Sequence, residues 1–267
     1  MGMKTLVIEK SRLLAAKRWD IDFHLPAEGI QKYPQTLLKK VKDVAQIRKE
    51  KRDPRLEPEE AFKYIDISCI DVQTGLVNNH QDLLGEEAPS RARKVVSAYD
   101  ILISTCRPTR GAIAVVPIDF HNEVASTGFS VLKAKDGVNP FYLFFVLRLD
   151  STLEQFRKFS TGSSYPAILD EDVLNTFIPV PSLDEQNRIA EEVFLQIKKR
   201  ENMINEANQL LKKQFNAIEN FLSGDNSLVF SENVSEDREA FIYDHIRRVR
   251  DNLPTLKTTQ TIKATAS

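Results

Sequence analysis

The feature that most constrains this chain is a long heptad run that starts directly after two prolines. Pro179 and Pro181 cannot occupy a helix interior, so a helix begins after them. Ser182 followed by Glu185 has capping-box spacing, and Asp184 and Glu185 place negative charge on the positive end of the helix dipole. Ser223 and Gly224 supply a stop, because glycine adopts the left-handed conformation cheaply. Between these ends Ala190, Ile197, Ile204, Leu211 and Ile218 recur every seven residues. Val193, Ala207 and Phe221 add partial second-seam positions, interrupted by Arg200 and Gln214. At ~1.5 Å per residue such a helix is roughly 60 Å long. A helix of that length with a narrow apolar seam lays the seam on another helix or packs on its own domain.

Upstream, the pattern is that of a globular domain. Residues 36–47 place Leu37, Leu38, Val41, Val44, Ala45 and Ile47 at helix-compatible spacing, with lysines opposite. Residues 19–23 alternate weakly, which suggests a strand. The charged run RKEKRDPRLEPEE is a loop, either functional or disordered. From Tyr64 to Val72 the period changes to two, and Gly75 breaks it. Ile101 to Thr105 suits a buried strand, with residues 112–116 as its hairpin partner. Residues 124–127 and 128–132 continue the β pattern. Residues 140–149 are apolar nearly all round and suit a buried helix, and 153–159 extend the helical pattern. Strands without regular βα alternation predict an α+β class with a mixed or antiparallel sheet. The expected division is a domain over 1–181, the long helix over 182–223, and a tail over 224–267 holding a short amphipathic helix and a disordered end.

Composition sets the remaining bounds. Hydrophobic content of 42% and charged content of 28% are ordinary for a soluble globular protein. No apolar run reaches the ~20 residues of a membrane span, and the N-terminus has no signal-peptide pattern, so a cytoplasmic chain is expected. Cys69 and Cys106 both lie in apolar runs and are expected to be buried thiols. The four histidines have no zinc-ligand spacing. There is no phosphate loop and no adenosylmethionine-type glycine loop, and no serine has a nucleophile-elbow context. No catalytic residue and no bound metal or cofactor is expected in this chain.

A binding reading fits better. The net charge is −1, yet residues 39–55 are locally basic through Lys39, Lys40, Lys42, Arg48, Lys49, Lys51, Arg52 and Arg55. Arg91, Arg93 and Lys94 form a second cluster, and Arg107 and Arg110 flank Pro108 in a third. Such clusters are either solvated faces or phosphate contacts. Base edges are read most often by Arg on guanine and by Asn or Gln on adenine, and the polar loop Asn78–Gln81 is a further candidate contact loop. Ser163 and Tyr165 sit in a Gly-Ser-Ser-Tyr-Pro turn, where Tyr165 either lies against a sugar or base or packs the domain edge.

At this point the sequence becomes recognisable. The stretch STGSSYPAILDEDVLNTFIPVPSLDEQNRIAEEV resembles the end of a target-recognition domain and the start of the conserved helix in DNA-specificity subunits of type I restriction–modification systems. YIDISCID (Tyr64–Asp71), RKVVSAYDILISTCRPTRGAIAVV (Arg93–Val116) and ASTGFSVLK (Ala125–Lys133) support the match in the family's order. The resemblance covers about residues 15–222.

The resemblance implies more than the residues do alone. Members usually carry two recognition domains separated by two long helices that pair antiparallel. Each domain reads one half of a split double-stranded DNA target. The helices dock methyltransferase subunits, which carry the adenosylmethionine, and a translocase/nuclease subunit cuts. This chain matches one domain and one helix. A half-length subunit of that kind is expected to form a homodimer through Ile197, Ile204, Leu211 and Ile218, and to read a split palindrome. A fragment of a longer subunit, or a hetero-pair, would read an asymmetric target. The reading from another class is a non-DNA interaction or scaffold protein that works through its coiled-coil helix.

Overall fold

The computed structural model describes residues 7–224 apart from 17, 20, 26 and 163. The expected tail helix and the candidate Ser163 lie outside them. The chain begins with α1 (Lys10–Ala16), α2 (Ile21–His24), β1 (Leu38–Lys40), α3 (Val41–Val44) and β2 (Ala45–Ile47). The β-rich middle is β3 (Ala61–Ile65), β4 (Gln81–Leu84), β5 (Ala92–Val95), β6 (Ile101–Ser104), β7 (Ile113–Val115), β8 (Val124–Ser126) and β9 (Phe129–Ala134). Then come α4 (Pro140–Leu147), α5 (Asp150–Phe159), α6 (Asp170–Asn175), β10 (Phe177–Pro179) and α7 (Leu183–Leu222). The class is α+β, as the pattern predicts. The chain forms two compact units, one through Glu201 and one from Asn202.

Two four-stranded sheets form the body of the first unit, in the orders β2-β9-β6-β7 and β4-β3-β8-β5. All pairs are antiparallel except β3 with β8. The alternation along β6 explains why all four of its residues are buried. Ile101 and Ile103 point into a core with Leu143, Phe144, Leu147 and Phe156 of α4 and α5. Leu102 points the other way, into a core with Ile65, Ala125, Phe129 and Val131 between the two sheets. The β6 sheet is therefore covered on both faces, which is why β6 reads as a continuous apolar run.

Four expectations need correction. Residues 36–47 are not one helix: β1 pairs with β10, α3 is a single turn, and β2 pairs with β9. The helical spacing is real, but sheet partners far along the chain override it. Residues 21–24 form a helical turn rather than a strand, with Phe23 edge-on to Phe159 of α5 at 5.9 Å. The strand at Tyr64 stops at Ile65, because the Asp66 carboxylate accepts from Ser68 N and opens a 3-10 turn. Cys69 is buried as expected, but Cys106 is exposed.

The start of α7 follows its sequence signals. Ser182 N donates to Glu185 Oε2 at 3.2 Å, and Glu185 N donates to Ser182 Oγ at 3.4 Å, the reciprocal pair of a capping box. Within the first unit the helix is fixed at three heights. Gln186 is buried, accepts from Asn139 N and donates to Pro181 O. Phe194 stacks edge-on with Phe141 and Phe145 at 5.1 and 5.2 Å. Arg200 donates to Gln73 Oε1 at 2.8 Å.

Candidate nucleic-acid interface

The strand registers bring one end of seven of the eight strands in the two large sheets together, with β2 ending short of them. Ile65 ends β3 beside Ala125 near the end of β8, and Gln81 and Ala92 begin β4 and β5 at the same level. In the other sheet Ser104 ends β6 opposite Phe129, the first residue of β9, while β7 begins beside Ile103. The two-residue turn Thr127–Gly128 joins β8 to β9 and so stitches the two ends into one edge.

Backbone hydrogen bonds carry this edge further. Thr127 N donates to Arg91 O at 2.8 Å, and Thr105 donates to Gly128 O through both its N–H and its hydroxyl at 2.9 Å. Ile168 N donates to Thr105 O, and Arg107 N donates to Pro166 O at 2.7 Å. The loops carrying Arg91, Arg107, Arg110 and Tyr165 are thus held as one rigid surface. Arg107 has a left-handed backbone, φ 49°, and its guanidinium lies 4.8 Å from the centre of the Tyr165 ring. Tyr165 is 69% exposed, so it presents its ring to solvent rather than packing the domain edge. Non-glycine residues held at positive φ concentrate where a side chain must be aimed. Arg110 and Arg91 are exposed on the loops tied together by these bonds.

The basic run at 48–55 reaches the same edge by a different route. It is ordered, not a free loop. Arg48 N donates to Val131 O, Val95 N to Glu50 O, and Arg52 N to Arg93 O, so the segment lies along β9 and then β5. Lys51 pairs with Lys94 and is exposed. The candidates then part company. Arg48 is an internal group, paired with Asp100 and Glu50. Arg93 pairs with Asp53 at 3.3 Å, and Arg55 pairs with the same carboxylate at 2.9 Å. Lys94 Nζ donates to Phe129 O at 2.5 Å, which commits its ammonium to the fold. Arg52 buries its Nε without a hydrogen-bond partner among the described residues. Lys49 lines an open groove of mixed charge with Lys42, Lys133 and Lys135 and with Glu50, Asp170 and Glu171. Lys39 is exposed on β1, and Lys40 lies over Phe177 at 5.3 Å. The β1–β10 ribbon has no strand pairing with the edge.

The sequence clusters therefore sort into three kinds, the third being Lys39, Lys40 and Lys49, which lie on the β1–β10 ribbon or in the separate groove. Lys51, Arg91, Arg107, Arg110 and Tyr165 present exposed or half-exposed groups along the edge. Arg48, Arg93 and Lys94 serve the fold. The Thr127–Gly128 turn is not legible in the sequence as part of a site, because its place depends on the parallel β3–β8 pairing. Among the described residues no group of three metal-ligating side chains comes together, and no helix is long and apolar enough to cross a membrane.

In the second unit the described helix exposes Met203, Ile204, Leu210, Leu211, Phe215, Ile218, Phe221 and Leu222. At 100° per residue these lie within an arc of roughly 140°. Ile204, Leu211 and Ile218 are thus exposed parts of a broader apolar face, whereas Ile197 is half-buried in the first unit.

These features define a class of protein: an α+β domain with a cationic strand edge, continuing into a helix with an exposed heptad face. The chain belongs to the family of the type I restriction modification DNA specificity domain, whose model matches residues 38–220. It is 30% identical over 130 residues to the specificity subunit of the type I restriction enzyme HindI from Haemophilus influenzae, covering 46% of this chain and 28% of that protein. It is also 30% identical over 120 residues to the MjaIX specificity subunit of Methanocaldococcus jannaschii, again covering 28% of the relative. The crystal structure of the HsdS subunit from Thermoanaerobacter tengcongensis matches with a TM-score of 0.57 and 34% identity, covering 74% of this chain and 50% of that one. The chain thus spans half the length of that solved subunit, and less of the curated relatives.

Proposed function

We propose that this chain is a DNA-recognition component of a type I restriction–modification assembly and carries no catalysis of its own. Residues 1–181 form the recognition domain and 182–223 the spacer helix. A second copy of the chain pairs through the exposed face of α7 and supplies the other half of a split target. The pair positions methyltransferase subunits, which hold the adenosylmethionine, and a translocase/nuclease subunit acts with them. The observation that carries this reading is the rigid edge bearing Arg91, Arg107, Arg110 and Tyr165, in a chain that belongs to a DNA-specificity family. Phosphate contacts from such cations fix register, and planar or amide groups beside them reach base edges.

Binding-site selection from a random duplex pool, followed by titrations of the selected duplex over a salt series, tests it. The expected result is one enriched split sequence and an affinity that falls steeply with salt, through release of counterions. Enrichment of no sequence, with salt-insensitive binding or none, would overturn the reading in favour of a protein-binding scaffold.

A further inference from the structure

We propose that the turn Asn78–Asn79 is an adenine-reading element of the strand edge, an assignment that rests on the DNA-recognition reading above. The turn immediately precedes β4, whose first residue, Gln81, pairs with Tyr64 at the gathered ends of the sheet. Its backbone is pinned from beneath by one buried residue. Asn78 N donates to Cys69 O at 2.7 Å, and the Cys69 thiol donates to Asn79 O at 3.5 Å. Asn79 has φ 53°, a left-handed conformation that asparagine adopts more readily than most residues. His80 follows the amides, edge-on to Phe120 at 4.9 Å and with Nε2 3.4 Å from Asp82.

The backbone is thus fixed while the side chains of Asn78 and Asn79 stay exposed and make no hydrogen bond to other described residues. An asparagine in a turn can instead close its amide on its own backbone. Here Cys69 holds Asn78 N and Asn79 O, and the side-chain amides point to something outside the chain.

The chemistry selects the base. An amide presents a donor and an acceptor side by side, which matches N7 and the N6 amino group of adenine in the major groove. The guanidinium and ammonium groups on the same edge donate only, so they suit phosphate or the acceptor pair of guanine. The amides of this turn match adenine's mixed pattern, and the pinned backbone leaves only their side-chain rotamers to be ordered on binding.

The test uses the full chain and the duplex it selects. Asn79→Gly deletes one amide while keeping the left-handed backbone, and Asn78→Ala deletes the other. Selected sites are expected to contain an adenine whose preference falls about 5- to 150-fold in one of these variants. Other positions and the salt slope are expected to stay unchanged. Replacing that adenine by 7-deazaadenine, which lacks the N7 acceptor, should reproduce the loss in the wild type and add nothing in the variant. Uniform weakening at all positions, or relaxation at a G·C pair alone, overturns the assignment. A wild type that selects a sequence which both variants read unchanged sinks this assignment alone, and a wild type that selects none sinks the parent reading with it.

Discussion

Arg48 and Asp100, 52 residues apart, form a bidentate ion pair: Nε to Oδ2 at 2.5 Å and Nη2 to Oδ1 at 3.1 Å. The Asp100 side chain is 2% exposed and that of Arg48 is 12% exposed. The same carboxylate accepts from Ser97 N at 2.8 Å, so it closes the turn that leads into β6. The pair therefore clips the start of the 48–55 segment to the sheet, and Arg48 works as a structural group although it sits in a basic run. Arg48→Ala leaves a buried carboxylate without its partner and is expected to cost about 3–5 kcal/mol. Urea denaturation measures it. An unchanged midpoint would mean that the fold does not depend on this ion pair.

Removing cations on the edge has a different signature. Lys51, Arg91 and Arg110 are exposed. The triple alanine variant is expected to weaken binding to every duplex and to lower the salt slope by about 0.9 for each phosphate that is no longer neutralised. Its stability should barely move, because surface charges contribute little. Affinity measured at several salt concentrations checks this. Weakening confined to one sequence would show that these residues touch bases instead.

Much of the fold can be read in the sequence, and the part that cannot has a physical cause. The α7 boundaries, the buried strand at 101–104 and the buried helix at 140–147 follow from local chemistry: prolines, a capping box, a run of branched residues. The 36–47 stretch defeats that reasoning, because its lysine-opposed apolar spacing is helical while its partners, β9 and β10, lie far downstream. The site divides in the same way. Local composition finds the basic clusters. It cannot tell Arg48, which faces Asp100, from Lys51, which faces solvent, because that difference is made by a residue 52 positions away.

Tyr142 gives a pH-dependent test of how the core holds the entrance to α7. Its hydroxyl is buried and donates to Pro179 O at 2.8 Å. Burial pushes its pKa from 10.0 up to about 12. A raised pKa means that the folded chain keeps this proton where the unfolded chain has lost it. The stability it contributes is therefore fully present below pH ~10 and declines as pH rises to about 12, by roughly 2–3 kcal/mol in all. Tyr142→Phe should lose about 1–3 kcal/mol at neutral pH, because Pro179 O is left unpaired. It should also remove this component of the alkaline decline. Denaturation curves of the two proteins from pH 8 to 12 isolate the effect, and parallel curves would mean that Tyr142 is not buried as described.

The exposed face of the second unit sets the last prediction. Ile204 is 40% exposed and Leu211 57%, one heptad apart, with Leu210, Phe215 and Ile218 beside them. An apolar arc of roughly 140° left in water costs solubility unless another surface covers it. A second copy of the same helix is self-complementary about a two-fold axis, so one seam provides both halves of the contact. Aspartate at 204 and 211 puts two charges on each side of that seam, four in the pair, where desolvation and like-charge repulsion act together. The double variant is expected to have the mass of one chain by light scattering, and the wild type the mass of two. Its first unit should keep a wild-type melting transition, since both positions lie beyond Glu201. The variant should still bind a single half-site, with the steep salt dependence of the edge intact, but without the enhancement that a correctly spaced pair of half-sites gives the wild type. A wild type with the mass of one chain at micromolar concentration would end the self-pairing reading, and would mean that the arc is covered by the remainder of a longer subunit or by a different partner.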